Sequence, residues 1–103
     1  MNKHIFIQPG ELKEMMTQNK TVTIVDVRSP GEFAAGHIEG AVNIPADLLQ
    51  AHAGQLAPGE TIVTVCNFGG QRSCDAADLL QSSGFGDVRP LHGGIKSWQK
   101  EDE

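Results

Sequence analysis

The 103-residue chain has no tyrosine, one tryptophan and four phenylalanines, so its core must be built mainly from aliphatic side chains. Cysteine is almost as scarce. Cys66 and Cys74, eight positions apart, make neither a disulfide framework nor a zinc site of paired cysteines. Positive charge is short as well: eight Lys and Arg against thirteen Asp and Glu give a formal net charge of -5. That balance argues against nucleic acid or an anionic membrane as a partner, and any anion site must lean on backbone amides. No apolar run approaches the ~20 residues of a membrane span. After Met1-Asn2-Lys3-His4 come only three apolar residues before Gln8, which is no secretory leader. Four histidines spaced 33, 15 and 40 residues apart do not suggest a metal triad. These absences lead to the expectation of one soluble, cytoplasmic domain over residues 1–103, with no metal and no cofactor. A chain of this length buries about two thirds of its unfolded surface and needs neither a metal nor a disulfide to fold.

What is present alternates between two patterns. Val22–Asp26 and Thr61–Val65 are nearly continuous Val, Ile and Thr, as in strands buried on both faces. His4–Ile7 and Val88–Leu91 read as further strands, and Ala41–Asn43 as a briefer one. Between them lie helical segments at Glu11–Gln18, Ala46–Gln50, Gln71–Ser83 and Gly94–Lys100. A short helix opens at Ser29-Pro30-Gly31-Glu32, with Ser at the N-cap, Pro at N1 and Glu at N3, and stops at Gly36. Leu12, Met15 and Met16 share one helical face. Ala76, Leu79 and Leu80 point inward from another helix, for which Gly84 is a natural C-cap, and Trp98 anchors the last. Alternating strands and helices imply an α/β fold with a parallel sheet and helices on both faces. Ligands of such sheets bind beyond the carboxyl ends of the strands.

Cys66-Asn67-Phe68-Gly69-Gly70-Gln71-Arg72-Ser73 arrives at that edge. It follows an apolar strand and precedes a helix, whose free N–H groups and positive dipole end lie there. Gly69 and Gly70 let the loop curl so that its amides converge into an anion nest. Arg72 adds a forked cation suited to a tetrahedral oxyanion. In that setting Cys66 should ionise below the ~8.5 of a free thiol and act as a nucleophile. The alternative, a Cys that merely ends an apolar strand as a small hydrophobe, is made less favourable by the glycines, the Arg and the helix start. Cys74 has two readings: a resolving thiol for a Cys66 adduct, or a small residue packed under the loop.

Asp26-Val27-Arg28, Glu32, Gly36-His37-Ile38, Gly40-Ala41 and Asn43-Ile44-Pro45 together resemble the first signature of the rhodanese (sulfurtransferase) domain. The Cys66 loop resembles that family's active-site loop. Leu91-His92-Gly93-Gly94, with Trp98, resembles its closing signature. The resemblance runs in order from Ile5 to Trp98. It implies a rhodanese-like fold with a five-stranded parallel sheet. It implies that Cys66 accepts a sulfane sulfur from thiosulfate or a related small anion, becomes a persulfide, and yields the sulfur to cyanide or a thiol. Asn67, Phe68, Gly69, Gly70, Gln71 and Arg72 would then bind the substrate, with Asp26, Arg28, Glu32 and His37 as framework residues near the site. The default state is a monomer.

One departure stands out. Five residues separate Cys66 from Arg72, whereas single-domain members of the family usually have four. The longer spacing resembles the superfamily's phosphatase and arsenate reductase branch, and a longer loop makes a wider cradle. Against that, Val65 stands where those phosphatases usually carry His, and the loop has no Asp or Glu to serve as general acid. Sulfur transfer is therefore the leading expectation. A phosphatase or arsenate reductase, and a non-catalytic sulfur carrier or sensor, remain as alternatives.

Overall fold

The two β-branched runs lie side by side at the centre of the sheet. A computed structural model of the chain describes residues 4–57 and 59–101. Strands β1 (Val22–Asp26), β2 (Val42–Asn43), β3 (Thr61–Val65) and β4 (Asp87–Pro90) form one parallel sheet in the order β2-β1-β3-β4. The register pairs Val22 with Thr61 and Asp26 with Val65, so β1 and β3 end level with each other. Both central strands are buried towards their carboxyl ends.

The expected fifth strand shrinks to a single bridge among the described residues. Of His4–Ile7, only Ile7 pairs, opposite Leu91, through Ile7 N–H to Pro90 C=O and His92 N–H to Ile7 C=O. Sequence chemistry accounts for this. Gln8 is the N-cap of helix α1 (Pro9–Thr17), with Glu11 accepting from the Gln8 N–H, so the chain turns helical one residue after the bridge. Pro9 has no N–H to continue a ladder but suits the first turn of a helix. The observed sheet has four strands, not five.

The helices form a layer on each side. Helix α2 (Pro30–Ala35) has the expected capping box, with Ser29 and Glu32 bonding each other's backbone N–H. The stretch expected as one helix at Ala46–Gln50 is broken into a 3-10 turn (Ala46–Leu48), a short helix α3 (Leu49–His52) and another 3-10 turn (Ala53–Gln55). Helix α4 (Gln71–Ser82) ends at Ser83, and Gly84 follows with φ +104°. Helix α5 spans Gly94–Glu101.

Two apolar clusters result. One packs Val25, Ile62 and Val88 of the sheet against Leu49, Ala76, Ala77 and Leu80. The other packs Ile24, Val63 and Val65 against Leu12, Ile95 and Trp98, with Met15 and Met16 at its margin. Successive residues of β3 therefore feed opposite cores, the period-two rule of a strand applied to a sheet covered on both faces. No described helix is long and apolar enough to cross a membrane.

Candidate active site

At the end of β3 the chain leaves the sheet at Cys66, which is 4% exposed. The loop Asn67–Gly70 then turns into α4, with Gly70 as its N-cap. Together they form an open cleft of ≈ 320 Å³ lined by Cys66, Asn67, Phe68, Gly70, Gln71 and Arg72. Five of the six residues expected to bind substrate thus border one cleft with Cys66. Gly69 is the exception and serves the loop's shape. Its φ is +71°, and a Cβ there would come within 2.6 Å of Gly93 N and 2.7 Å of Leu91 O. Phe68 is 72% exposed at the rim. The Gln71 amide is turned along the helix to Asp75 at 2.6 Å.

The electrostatics centre on the Cys66 sulfur. The Cys66 thiol donates to the hydroxyl of the fully buried Ser73 at 3.3 Å, and that hydroxyl donates in turn to Gly70 C=O at 3.2 Å. Burial pushes the Cys66 thiol up. The Ser73 side chain and the backbone of Ser73, Gly70 and Phe68 favour the charged form and outweigh burial, so its pKa falls below the ordinary thiol value. The helix-terminal nest has the effect expected of it. Ser73 was not singled out from the sequence. A signal was available in its position: as third residue after the N-cap, it lies in the one turn of α4 whose N–H groups face the loop.

The loop is pinned from outside by two structures. The first is a buried ion pair. Asp26 is fully buried and Arg28 is 4% exposed, joined at 2.7 Å. A buried pair persists only when its remaining donors and acceptors find partners. Arg28 meets this by also donating to Gly36 C=O at 2.8 Å and Asn67 Oδ1 at 3.3 Å, while Asn43 Nδ2 donates to the Asp26 and Arg28 carbonyls. The second is the start of α5, where Ile95 N–H donates to Cys66 C=O and Lys96 N–H to Asn67 C=O, at 2.8 and 3.1 Å. A side chain at Gly94 would collide with Cys66 O and Asn67. Gly94 thus lets α5 approach this loop, whereas a Cβ at Gly93 would meet Ser97 of α5 itself.

Arg72 does not project alone into the cleft. Its guanidinium pairs with Glu32, Nη1 to Oε1 at 3.1 Å and Nη2 to Oε2 at 3.4 Å. Glu32 also accepts from Asn67 Nδ2 at 2.6 Å. Arg72, then the Ser29 amide and the Asn67 side chain, hold the Glu32 carboxyl down at about 2. His37, expected near the site, stacks on Phe33 at 3.7 Å between ring centroids and lines a different hollow with Lys13 and Trp98. The Cys74 thiol is pushed up by burial and by the negative charge of Cys66, Asp78 and Asp75, which disfavours the resolving-thiol reading. Among the described residues, no three His, Cys, Asp or Glu are grouped to hold a metal ion.

Comparison with known proteins gives this geometry its context. The Rhodanese-like domain family matches residues 8–101. The chain is similar to thiosulfate sulfurtransferase GlpE of Shewanella oneidensis, 40% identical over 85 residues that cover 82% of this chain and 83% of that one. It is 35% identical over 97 residues to the probable adenylyltransferase/sulfurtransferase MoeZ of Mycobacterium tuberculosis, and there it spans only 24% of the longer protein. Its fold is similar to that of the human single-domain sulfurtransferase TSTD1, with a TM-score of 0.83 and 28% identity, covering 95% of this chain and 97% of that one. A cysteine cradle at the carboxyl edge of a parallel sheet and a match over nearly the whole length agree: the chain belongs to the rhodanese-like domain family.

Proposed function

We propose that this protein transfers sulfane sulfur through a persulfide on Cys66. The observation that carries this reading is a nearly buried sulfur at the start of α4, in contact with the Ser73 hydroxyl and favoured as thiolate by the backbone of Phe68, Gly70 and Ser73. The Cys66 thiolate attacks the outer sulfur of thiosulfate or a related donor. A new S–S bond forms, the old one breaks, and sulfite leaves with the electron pair, giving Cys66–S–S⁻. Cyanide or a thiolate then attacks the terminal sulfur, leaves as thiocyanate or a persulfide, and returns the Cys66 thiolate. No external oxidant is needed. The loop amides from Asn67 to Arg72 cradle the donor's sulfonate, with Asn67 held in place by Glu32 and Arg28.

The five-residue loop gives an oxyanion reading one specific support, the greater width of the cradle. Ester hydrolysis, however, needs a proton for the leaving group. The carboxyl bonded to the loop is Glu32, and with a pKa of about 2 it carries no proton near neutral pH. Sulfur transfer makes no such demand.

The test is mass spectrometry of the protein after thiosulfate treatment. Wild type is expected to gain one sulfur on Cys66 and lose it to cyanide as thiocyanate, and Cys66→Ser is expected to do neither. Thiocyanate release at equal rates by both proteins would overturn the proposal. Aryl phosphate turnover without any persulfide, on the same sample, would favour the phosphatase alternative.

A further inference from the structure

Among the described residues, Arg72 is the one charged residue lining the Cys66 cleft, and its charge is already engaged. The Glu32 carboxylate meets it end-on at two points, Nη1 and Nη2, at 3.1 and 3.4 Å. That carboxylate is itself fixed. It accepts the Ser29 N–H at 2.9 Å as the third residue of the α2 capping box, and Asn67 Nδ2 at 2.6 Å. Four donors thus meet two oxygens, and the pair as a whole is neutral. The sulfur of Cys66 has partners of its own, the Ser73 hydroxyl and the backbone at the start of α4, besides the through-space attraction of Arg72. A doubly charged tetrahedral oxyanion would draw most benefit from a forked guanidinium, and here the fork is turned to a carboxylate.

We infer that Glu32 is a specificity-determining residue, which by holding Arg72 in an end-on, two-point ion pair keeps the cradle's affinity for doubly charged oxyanions low. This rests on the reading of the Cys66 loop as an anion cradle. Such a device lets a dianionic donor enter and a dianionic product leave without being trapped, while the amides retain the persulfide sulfur. Glu32 touches neither sulfur nor donor, so it acts through Arg72.

Glu32→Gln removes the charge while glutamine at this position can still complete the capping box; its amide nitrogen replaces Oε2, so Arg72 Nη2 and Asn67 Nδ2 also lose their acceptor. The probe is inorganic sulfate, titrated calorimetrically at low ionic strength into wild type, E32Q and the double variant E32Q/R72Q, with thiocyanate as a singly charged comparator. E32Q is expected to bind sulfate roughly two- to fivefold more tightly than wild type, the range set by the strength of an exposed ion pair. The gain should be smaller for thiocyanate and should vanish in E32Q/R72Q. A merely structural role would weaken binding, so a gain in affinity is diagnostic. The inference is overturned by equal or weaker sulfate binding in E32Q, by an equal gain for thiocyanate, or by a gain that survives loss of Arg72. None of these readouts requires turnover. Failure of wild type to form a persulfide would remove the sulfur-transfer proposal and leave the sulfate result to judge Glu32 alone.

Discussion

A thiol that is 4% exposed should resist ionisation, and burial does oppose it at Cys66. Short-range donors reverse the sign, and Ser73 is the first of them. Ser73→Ala removes the hydroxyl and keeps the helix amide, so it separates the side chain's contribution from that of the nest. Once the thiol has lost its proton, the Ser73 hydroxyl can turn from Gly70 C=O to the sulfur, and losing that donor raises the thiol pKa. The midpoint of Cys66 alkylation by iodoacetamide, followed against pH, should therefore move towards alkali. The rate at pH 7 should fall roughly three- to tenfold, as befits the ~0.5–1.5 kcal/mol net contribution of one hydrogen bond. An unchanged profile would assign the whole effect to the backbone. The contrast with the sequence reading is instructive. Cys66, the glycines and the helix start were legible because strand-end, turn and cap chemistry are local. The engagement of Arg72 by Glu32 was not, because forty residues separate them and only the sheet topology brings α2 to the cradle.

At the scale of elements, the loop is shaped as much by α5 as by its own residues. Two amides at the start of α5 take the Cys66 and Asn67 carbonyls, and Gly94 allows that approach with φ +62°. Gly94→Ala would suffer twice, from a left-handed backbone that an L side chain adopts poorly and from collision with the Cys66 carbonyl. The backbone strain alone costs about 1–3 kcal/mol. The expected result is a lower urea midpoint with an unchanged slope, together with slower Cys66 alkylation as the loop is pushed away. A midpoint equal to wild type would show that α5 can retreat freely. Elements with strong local signals were legible in kind: both central strands, the Ser29–Glu32 capping box and the long helix after Gly70. The first strand was not, because its apolar residues say nothing of how early α1 begins, and the N-cap at Gln8 with Pro9 leaves one bridge where a ladder was expected.

For the whole molecule, the four-stranded sheet divides the apolar interior into two clusters and presents one carboxyl edge where β1, β3, α2, α4 and α5 meet. The alternation of aliphatic runs was sufficient to foresee helices on both faces. The sharing of one strand between two cores makes a further claim. Ile62 belongs to the cluster under α4 and Ile7 to the cluster under α1 and α5, and both are essentially inaccessible to solvent. Ile62→Val and Ile7→Val each remove one methylene group and should each lower stability by about 0.5–1.5 kcal/mol. If the sheet transmits no packing change from one face to the other, the double variant should lose the sum, with a coupling below about 0.5 kcal/mol. Urea unfolding of the four proteins checks this, with the slope held constant across the set. A larger coupling would show that the faces rearrange together. In that case a substitution under α1 would also move the end of β3, and the alkylation rate of Cys66 in Ile7→Val would change with it.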